Sequence, residues 1–331
     1  HARTPLRPAR EQWWIASYSA LRTSGAVSGS STIPLTTPAP EPTTPQEATT
    51  LEVLDEPHDN ATNTEAFHLH RFPRGPGPGT FLHGLLEWAG QLGFNTALED
   101  PAAREDMLRR RVQLRGWQAW HDTLAGWFEE LLATPLPLPI STSPSLKEPS
   151  EGSQVALCEL ESYQVELEFW FAAHQVQTRK LDQLVSDHLL PGVSRPVLDA
   201  DTLNGMLKGF IDLAFEHEGR FYVLDWKSNY LGSDDSAYTT DALRNAMLEK
   251  RYDLQAALYM LALHRLLKAR LPDYDPSQHL GGSMTVFLRG SRTTARGVHA
   301  VPAPVELIEA LDALFTGTAE DTAATYQEAV V

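Results

Sequence analysis

A single cysteine, Cys158, in 331 residues leaves no partner for an intrachain disulfide. It is also too few thiolates for a four-cysteine zinc site or a protein-ligated iron–sulfur cluster. Such a chain suits a reducing, cytoplasmic setting. Long apolar runs are scarce too: none approaches the ~20 residues that span a bilayer, so a membrane role is set aside. The opening HARTPLRPAREQWW has no apolar h-region of a secretory signal and no initiator Met, and reads as the start of a fragment or processed chain. No G-x-S-x-G elbow and no helical H-E-x-x-H occurs, which leaves serine hydrolysis and zincin-type chemistry unsupported. His68 and His70, or His279 and His299, have no Cys partner that would make zinc the natural reading.

Positive charge is also in short supply. Lys and Arg number 27 against 43 Asp and Glu, a formal net charge of -16. Phosphate binding is driven by Lys and Arg, so this balance argues at first against nucleic acid. The distribution weakens the objection. No Lys or Arg lies between Arg22 and Arg71, while that stretch carries Glu41, Glu47, Glu52, Asp55, Glu56, Asp59 and Glu65. Some of the remaining excess could be carboxylates gathered around a metal.

The chain reads in three parts. Residues 1–22 end a preceding region, with an apolar and aromatic patch at 13–22 (WWIASYSALR). Residues 23–64, rich in Pro, Thr, Ser and Ala, cannot bury enough surface to offset their ordering entropy and read as a flexible linker. Residues 65–331 form the main domain. Its helical part spans 79–133: one helix over 80–93, with Thr80 as N-cap and Gly93 as stop, and two helices within 101–133. A Pro/Ser-rich loop follows at 134–153, then a core over about 160–316. In YQVELEFWF (163–171), Val165, Leu167, Phe169 and Phe171 alternate with Glu166, Glu168 and Trp170, which predicts a strand. GFIDLAF (209–215), RFYVLDW (220–226) and GGSMTVFLRG (281–290) are further strands. Residues 241–270 are helical with a break near Asp253, and 304–315 are a closing helix. Long helices around a small hairpin-rich sheet predict an α/β or α+β fold.

The chemistry concentrates in GFIDLAFEHEGRFYVLDWKSNYLG (209–232). If Glu218 and Gly219 are the central residues of a tight hairpin turn, Asp212 falls opposite Asp225. Directly opposed residues share a sheet face with Cβ atoms roughly 4.5–5.5 Å apart. Lys227, two residues past Asp225, points to the same face. Opposed carboxylates repel, and both interrupt apolar strands, where unpaired acids are costly. A cation between them resolves the conflict, and hard oxygen ligands of this kind suit Mg²⁺, which also takes phosphate oxygens. The competing reading is plain: Asp212 and Lys227 form a salt bridge while Asp225 faces solvent.

With G-x-x-D-L-x-F followed by V-L-D-W-K-S-N, the chain resembles the PD-(D/E)xK nucleases, and within them the RecB-type nuclease domains of exodeoxyribonuclease V helicase–nucleases. The resemblance extends over MLKGFIDLAF (206–215), GRFYVLDWKSNYLG (219–232), RYDLQAALYMLALHRLLKAR (251–270), YD followed by HLGG (274–282), FLRG (287–290), GTFLHGLLE (79–87) and WIASYSAL (14–21). It implies a restriction-endonuclease-like αβββαβ core with flanking helices and a Mg²⁺-dependent DNA nuclease with one or more metals per site. It implies metal ligation by Asp212, Asp225, His83 and the backbone carbonyl of Trp226, where the family often has Tyr. It implies that Lys227 is the catalytic lysine and that Gln255 and Tyr259, at Q-x-x-x-Y, sit near the bound strand. It also implies an acidic position facing the site at Glu168, with Glu166 as its rival.

The implied partners are DNA, the helicase portion of the same polypeptide, and RecC-like and RecD-like subunits in a heterotrimer. The sequence holds no G-x-x-x-x-G-K-[ST] loop of its own, so it reads as the nuclease end of a longer polypeptide. The implied setting is double-strand-break repair by recombination and degradation of linear DNA. The rival from another class is an inactive nuclease-like fold that only holds DNA or docks subunits. Such a fold is expected to lose an acid or the lysine, and Asp212, Asp225 and Lys227 are all present.

Overall fold

A computed structural model describes residues 14–17, 21, 68–139 and 153–317; for 14–17 it describes the backbone alone. The linker read over 23–64 therefore lies outside the described residues, as do 140–152 of the Pro/Ser-rich loop and the tail from 318. In chain order the elements are β1 (Trp14–Ser17), α1 (Pro76–Leu92), α2 (Phe94–Glu99), α3 (Pro101–Arg115), α4 (His121–Ala133), β2 (Leu136–Pro137), β3 (Gln154–Val155), β4 (Ser162–Gln177), α5 (Thr178–His188), β5 (Thr202–His217), β6 (Arg220–Lys227), α6 (Thr240–Glu249), α7 (Tyr252–Arg270), α8 (Pro276–His279), β7 (Leu280–Phe287), β8 (Val298–Pro302) and α9 (Val305–Thr316). Among these, no helix is long and apolar enough to cross a membrane.

The helix expected from Thr80 starts four residues earlier. Pro76 occupies the first turn, where its fixed φ is already helical and its missing N–H leaves nothing unsatisfied, and Gly75 precedes it at φ 98°. The stop at Gly93 is as expected. The two helices within 101–133 are α3 and α4, joined through Gly116 in the left-handed region (φ 72°). The break placed near Asp253 falls at Lys250–Arg251, where Arg251 adopts φ 58°. The strand expected to run through Gly290 ends at Phe287, and 288–290 form a 3-10 turn.

A six-stranded mixed sheet runs through the domain, with β5 as its spine. Antiparallel β4 lies along one edge of β5 for almost its whole length. Two strands meet the other edge: parallel β1 at Gly205–Lys208 and antiparallel β6 at Leu213–His217. α6 and α7 carry the chain from β6 to parallel β7, and β8 closes that side. Helices cover both faces. Phe81, Leu85, Phe128 and Leu132 pack on Leu213, Phe215, Leu224, Trp226 and Val286. On the other face Leu181, Leu254, Leu258, Leu261, Leu311 and Phe315 pack on Phe171, Leu207, Ile211 and Val223. This is the α/β architecture expected of a restriction-endonuclease-like core.

One expectation for β4 is corrected. Val165 does not share a face with Leu167: Val165 packs against the α1–α4 layer and Leu167 against the α7 layer. The cause is Glu166, whose φ of 49° turns the strand over. β5 turns over in step, since Leu213 joins the first layer and Ile211 the second. The register stays constant across the step, from Val165↔Leu213 to Leu167↔Ile211.

Candidate active site

The hairpin forms as the turn residues predict. Glu218 (φ 52°) and Gly219 (φ 78°) are both left-handed, the requirement of a type I′ turn, and His217 pairs with Arg220 across it. The ladder runs from there to Leu213↔Leu224. One step on, at Asp212 and Asp225, the strands part: β6 continues beside β7, while β5 goes on to meet β1. The two acids thus sit at a fork in the sheet, between α1 on one face and α7 on the other.

The Asp212 carboxylate accepts a hydrogen bond from the Trp226 backbone N–H at 2.7 Å, and His83 Nδ1, from α1, lies 3.7 Å from the same oxygen. Asp225 lies 2.8 Å from Lys227 Nζ, with both side chains almost fully buried. Asp225 is thus buried against the lysine, where the plain reading had it face solvent. Lys227 Nζ also sits 4.2 Å from the centre of the Tyr252 ring, which shields the ammonium without neutralising it. The Trp226 side chain points into the core, so what it presents to the fork is backbone.

From α7, Tyr259 and Gln255 face the same point. Gln255 Nε2 donates to the Tyr259 hydroxyl at 2.8 Å. Burial, then the charges of Asp225 and Asp212, push the Tyr259 phenol well above its ordinary range, so it stays a neutral hydroxyl beside the carboxylates. Leu254, Leu258 and Leu261 form the separate buried stripe expected of this helix.

The structure brings Glu166 to the cluster and leaves Glu168 outside it: Glu168 is exposed and pairs with Lys208 at 2.8 Å. The turned-over backbone at Glu166 causes the exchange, because it shifts the phase of the strand by one residue. Desolvation, then repulsion from Asp212, Glu87 and Asp225, pushes the Glu166 carboxyl up to about 7; His83 opposes the shift. The folded state therefore holds this proton more tightly than an unfolded chain, where Glu titrates near 4.5. Stability present below that pH is lost as pH rises, and the loss is complete above about 7. It amounts to on the order of 3 kcal/mol. Glu166→Gln should remove this contribution, so that in EDTA its melting temperature gains relative to the parent protein's as pH rises from about 4.5 to about 7. A variant with the parent slope would show that another group titrates.

Among the described residues, no three His, Cys, Asp or Glu side chains converge into a ready-made metal group. The donor chemistry nevertheless fits a hard cation. Glu166 shows it: desolvation, then the negative charge of Asp212, Glu87 and Asp225, drives its carboxyl toward the neutral form, a repulsion that a cation would relieve. Asp212, Asp225, His83 and the Trp226 carbonyl are the groups that could hold such an ion.

Reading the sequence missed two residues that organise this region. Tyr252 flanks Lys227 and donates to Asn229 Oδ1 at 3.1 Å. Arg289, only 2% exposed, donates to five backbone carbonyls: Ser228 at 2.8 Å, Leu69 at 2.8 Å, His70 at 3.3 Å, Phe72 at 2.8 Å and Pro73 at 2.8 Å. A lone Arg in FLRG carries no signal of partners so distant in sequence.

Comparison with known proteins agrees with this geometry. Residues 67–330 match the PD-(D/E)XK nuclease superfamily. The chain is 36% identical over 322 residues to the RecBCD enzyme subunit RecB of Escherichia coli, covering 96% of the chain and 24% of that protein. It is 33% identical over 258 residues to the RecB subunit of Haemophilus influenzae, covering 76% of the chain and 19% of that protein. A RecB subunit from Mycobacterium tuberculosis is 29% identical over 313 residues, covering 87% and 26%. The chain thus spans about a quarter or less of the curated relatives it matches.

Proposed function

The chain belongs to the PD-(D/E)XK nuclease superfamily, and from that premise we propose that it is the Mg²⁺-dependent DNA nuclease module of a RecBCD-type helicase–nuclease. The observation that carries this reading is the buried Asp225–Lys227 pair set beside Asp212 at the fork of the sheet. A buried ammonium next to clustered carboxylates is costly to maintain for stability alone, and such arrangements concentrate at functional sites. The module would cleave strands delivered by the helicase portion of the same polypeptide, with RecC-like and RecD-like subunits completing a cytoplasmic heterotrimer. Residues 23–64 would tether it. Its task would be double-strand-break repair by recombination and degradation of linear DNA.

Mg²⁺ would be held by Asp212 and Asp225, with His83 and the Trp226 carbonyl as further ligands, and when bound it would neutralise phosphate charge and acidify a water. The residues of the chain do the rest. Lys227 is placed to orient the attacking water and to balance the charge that builds on the phosphate. The neutral Tyr259 hydroxyl, held by Gln255, can donate a hydrogen bond to a group bound at the fork. Trp226 N–H holds one oxygen of the Asp212 carboxylate, which gives the other a defined direction.

DNA cleavage with Mg²⁺, with EDTA, and by Asp225→Ala tests the reading. Cleavage should require Mg²⁺ and fall by at least about 10³-fold in the variant, the scale of a lost electrostatic anchor. Substantial Mg²⁺-dependent cleavage by a well-folded Asp225→Ala protein would overturn the assignment.

A further inference from the structure

Beyond the fork, β4 and β5 present a second cluster on their solvent-facing side. Trp170 pairs across the strands with Lys208, and Glu168 with Phe210. The Lys208 ammonium lies 4.8 Å from the centre of the Trp170 ring and 4.9 Å from that of Phe210. Glu168 accepts from the Trp170 indole N–H at 3.0 Å and from Lys208 at 2.8 Å, which fixes the indole and the ammonium relative to each other. Trp170 is nevertheless 46% exposed. A large aromatic side chain held this firmly in water has given up rotamer freedom without burial in return.

The cluster lies on the same two strands as the active site, short of the step at Glu166 where they turn over. Lys208, Phe210 and Asp212 succeed one another on β5 at alternate positions, and Trp170, Glu168 and Glu166 do the same on β4. The path from Lys208 to Asp212 is four residues, about 13 Å along a strand. That length suits a short run of nucleotides. Two aromatic rings sharing a cation are the elements that hold unpaired strands: rings stack on bases of any sequence, and the cation meets the backbone.

We propose that Trp170, Phe210 and Lys208 form a stacking platform for single-stranded DNA on its way to the Asp212–Asp225 site, with Glu168 as the positioning residue that holds the platform open. This rests on the nuclease reading for the direction of the strand. It does not rest on it for the binding itself. The platform also gives Glu168 a place outside the catalytic cluster.

The test is binding of a fluorescein-labelled oligothymidine to the whole chain in EDTA, where cleavage plays no part. Trp170→Ala should weaken binding roughly tenfold and Trp170→Phe should recover most of it, since stacking needs a ring rather than an indole. Lys208→Ala should lower the slope of log affinity against log salt by about one phosphate contact. A strand of abasic sites should bind the parent protein more weakly and be indifferent to Trp170→Ala. Circular dichroism melts keep the comparison to folded proteins. This pattern would support the platform whether or not the protein cleaves DNA. Equal affinity of parent and Trp170→Ala for oligothymidine would overturn it, and leave the nuclease reading standing if cleavage is seen. Failure of the parent chain to bind the oligonucleotide would overturn it as well.

Discussion

Lys227→Ala should lose cleavage by about 10³-fold or more while gaining, rather than losing, responsiveness to Mg²⁺. The argument begins with the pair. Lys227 and Asp225 are both nearly buried and 2.8 Å apart. Removing one member of a buried pair strands the other charge, at a cost of about 3–5 kcal/mol. In EDTA the variant should therefore melt well below the parent protein, by roughly 10 °C at the usual few degrees per kcal/mol for a domain of this size. Nothing in the substitution removes an oxygen from the fork. Divalent cation can then take over the role of the missing ammonium, so added Mg²⁺ should raise the variant's melting temperature more than the parent's. The two readouts separate chemistry from scaffolding: a lysine that acts only structurally would give a variant whose cleavage returns once Mg²⁺ has restored its stability. Calorimetric melts with and without Mg²⁺, run beside a cleavage assay on linear DNA, make the comparison.

The centre of this site was legible in the sequence for a specific reason. A two-residue turn fixes the register of the pairs behind it, so Glu218–Gly219 carries the ladder as far as Leu213↔Leu224, one step short of the two acids, and strand period places Lys227 on the face of Asp225. The helices α3, α4, α7 and α9 were legible because apolar periodicity and capping residues are local signals. Glu166 and Glu168 could not be separated by the same means. Strict alternation assigns them the same face, and nothing in YQVELEFWF announces that a non-glycine residue will adopt a left-handed backbone. His83 illustrates a second limit. A histidine on an amphipathic helix is an ordinary surface or core residue by pattern, and only packing of α1 against the fork brings its ring to 3.7 Å from Asp212.

Arg289→Ala should be among the most destabilising single substitutions in the domain, and its damage should reach the active site without touching it. The guanidinium is buried and its five hydrogen bonds end on main-chain carbonyls of two separate segments. One is Ser228, directly after Lys227. The other is 69–73, which leads through Gly75 into α1 and so to His83. Arg289 thus joins the two parts of the chain that meet at Asp212. Truncation leaves buried carbonyls without donors, each costing about 1–3 kcal/mol where water cannot reach, so a net loss of about 3–5 kcal/mol is expected after relaxation. Arg289→Lys should recover only part of it. An ammonium offers three donors from one point, whereas the guanidinium fork reaches Ser228 with Nε while Nη1 and Nη2 reach the other segment. Cleavage at a temperature where both variants remain folded should fall further for Ala than for Lys, in the order of their melting temperatures. If Arg289→Ala melts within a degree of the parent protein, the 69–73 segment is held by its other contacts. Those are the packing of Phe72 against Phe81, Trp117 and Trp120 and the approach of His70 to Asp235 at 3.1 Å, and the role given to the guanidinium would pass to them.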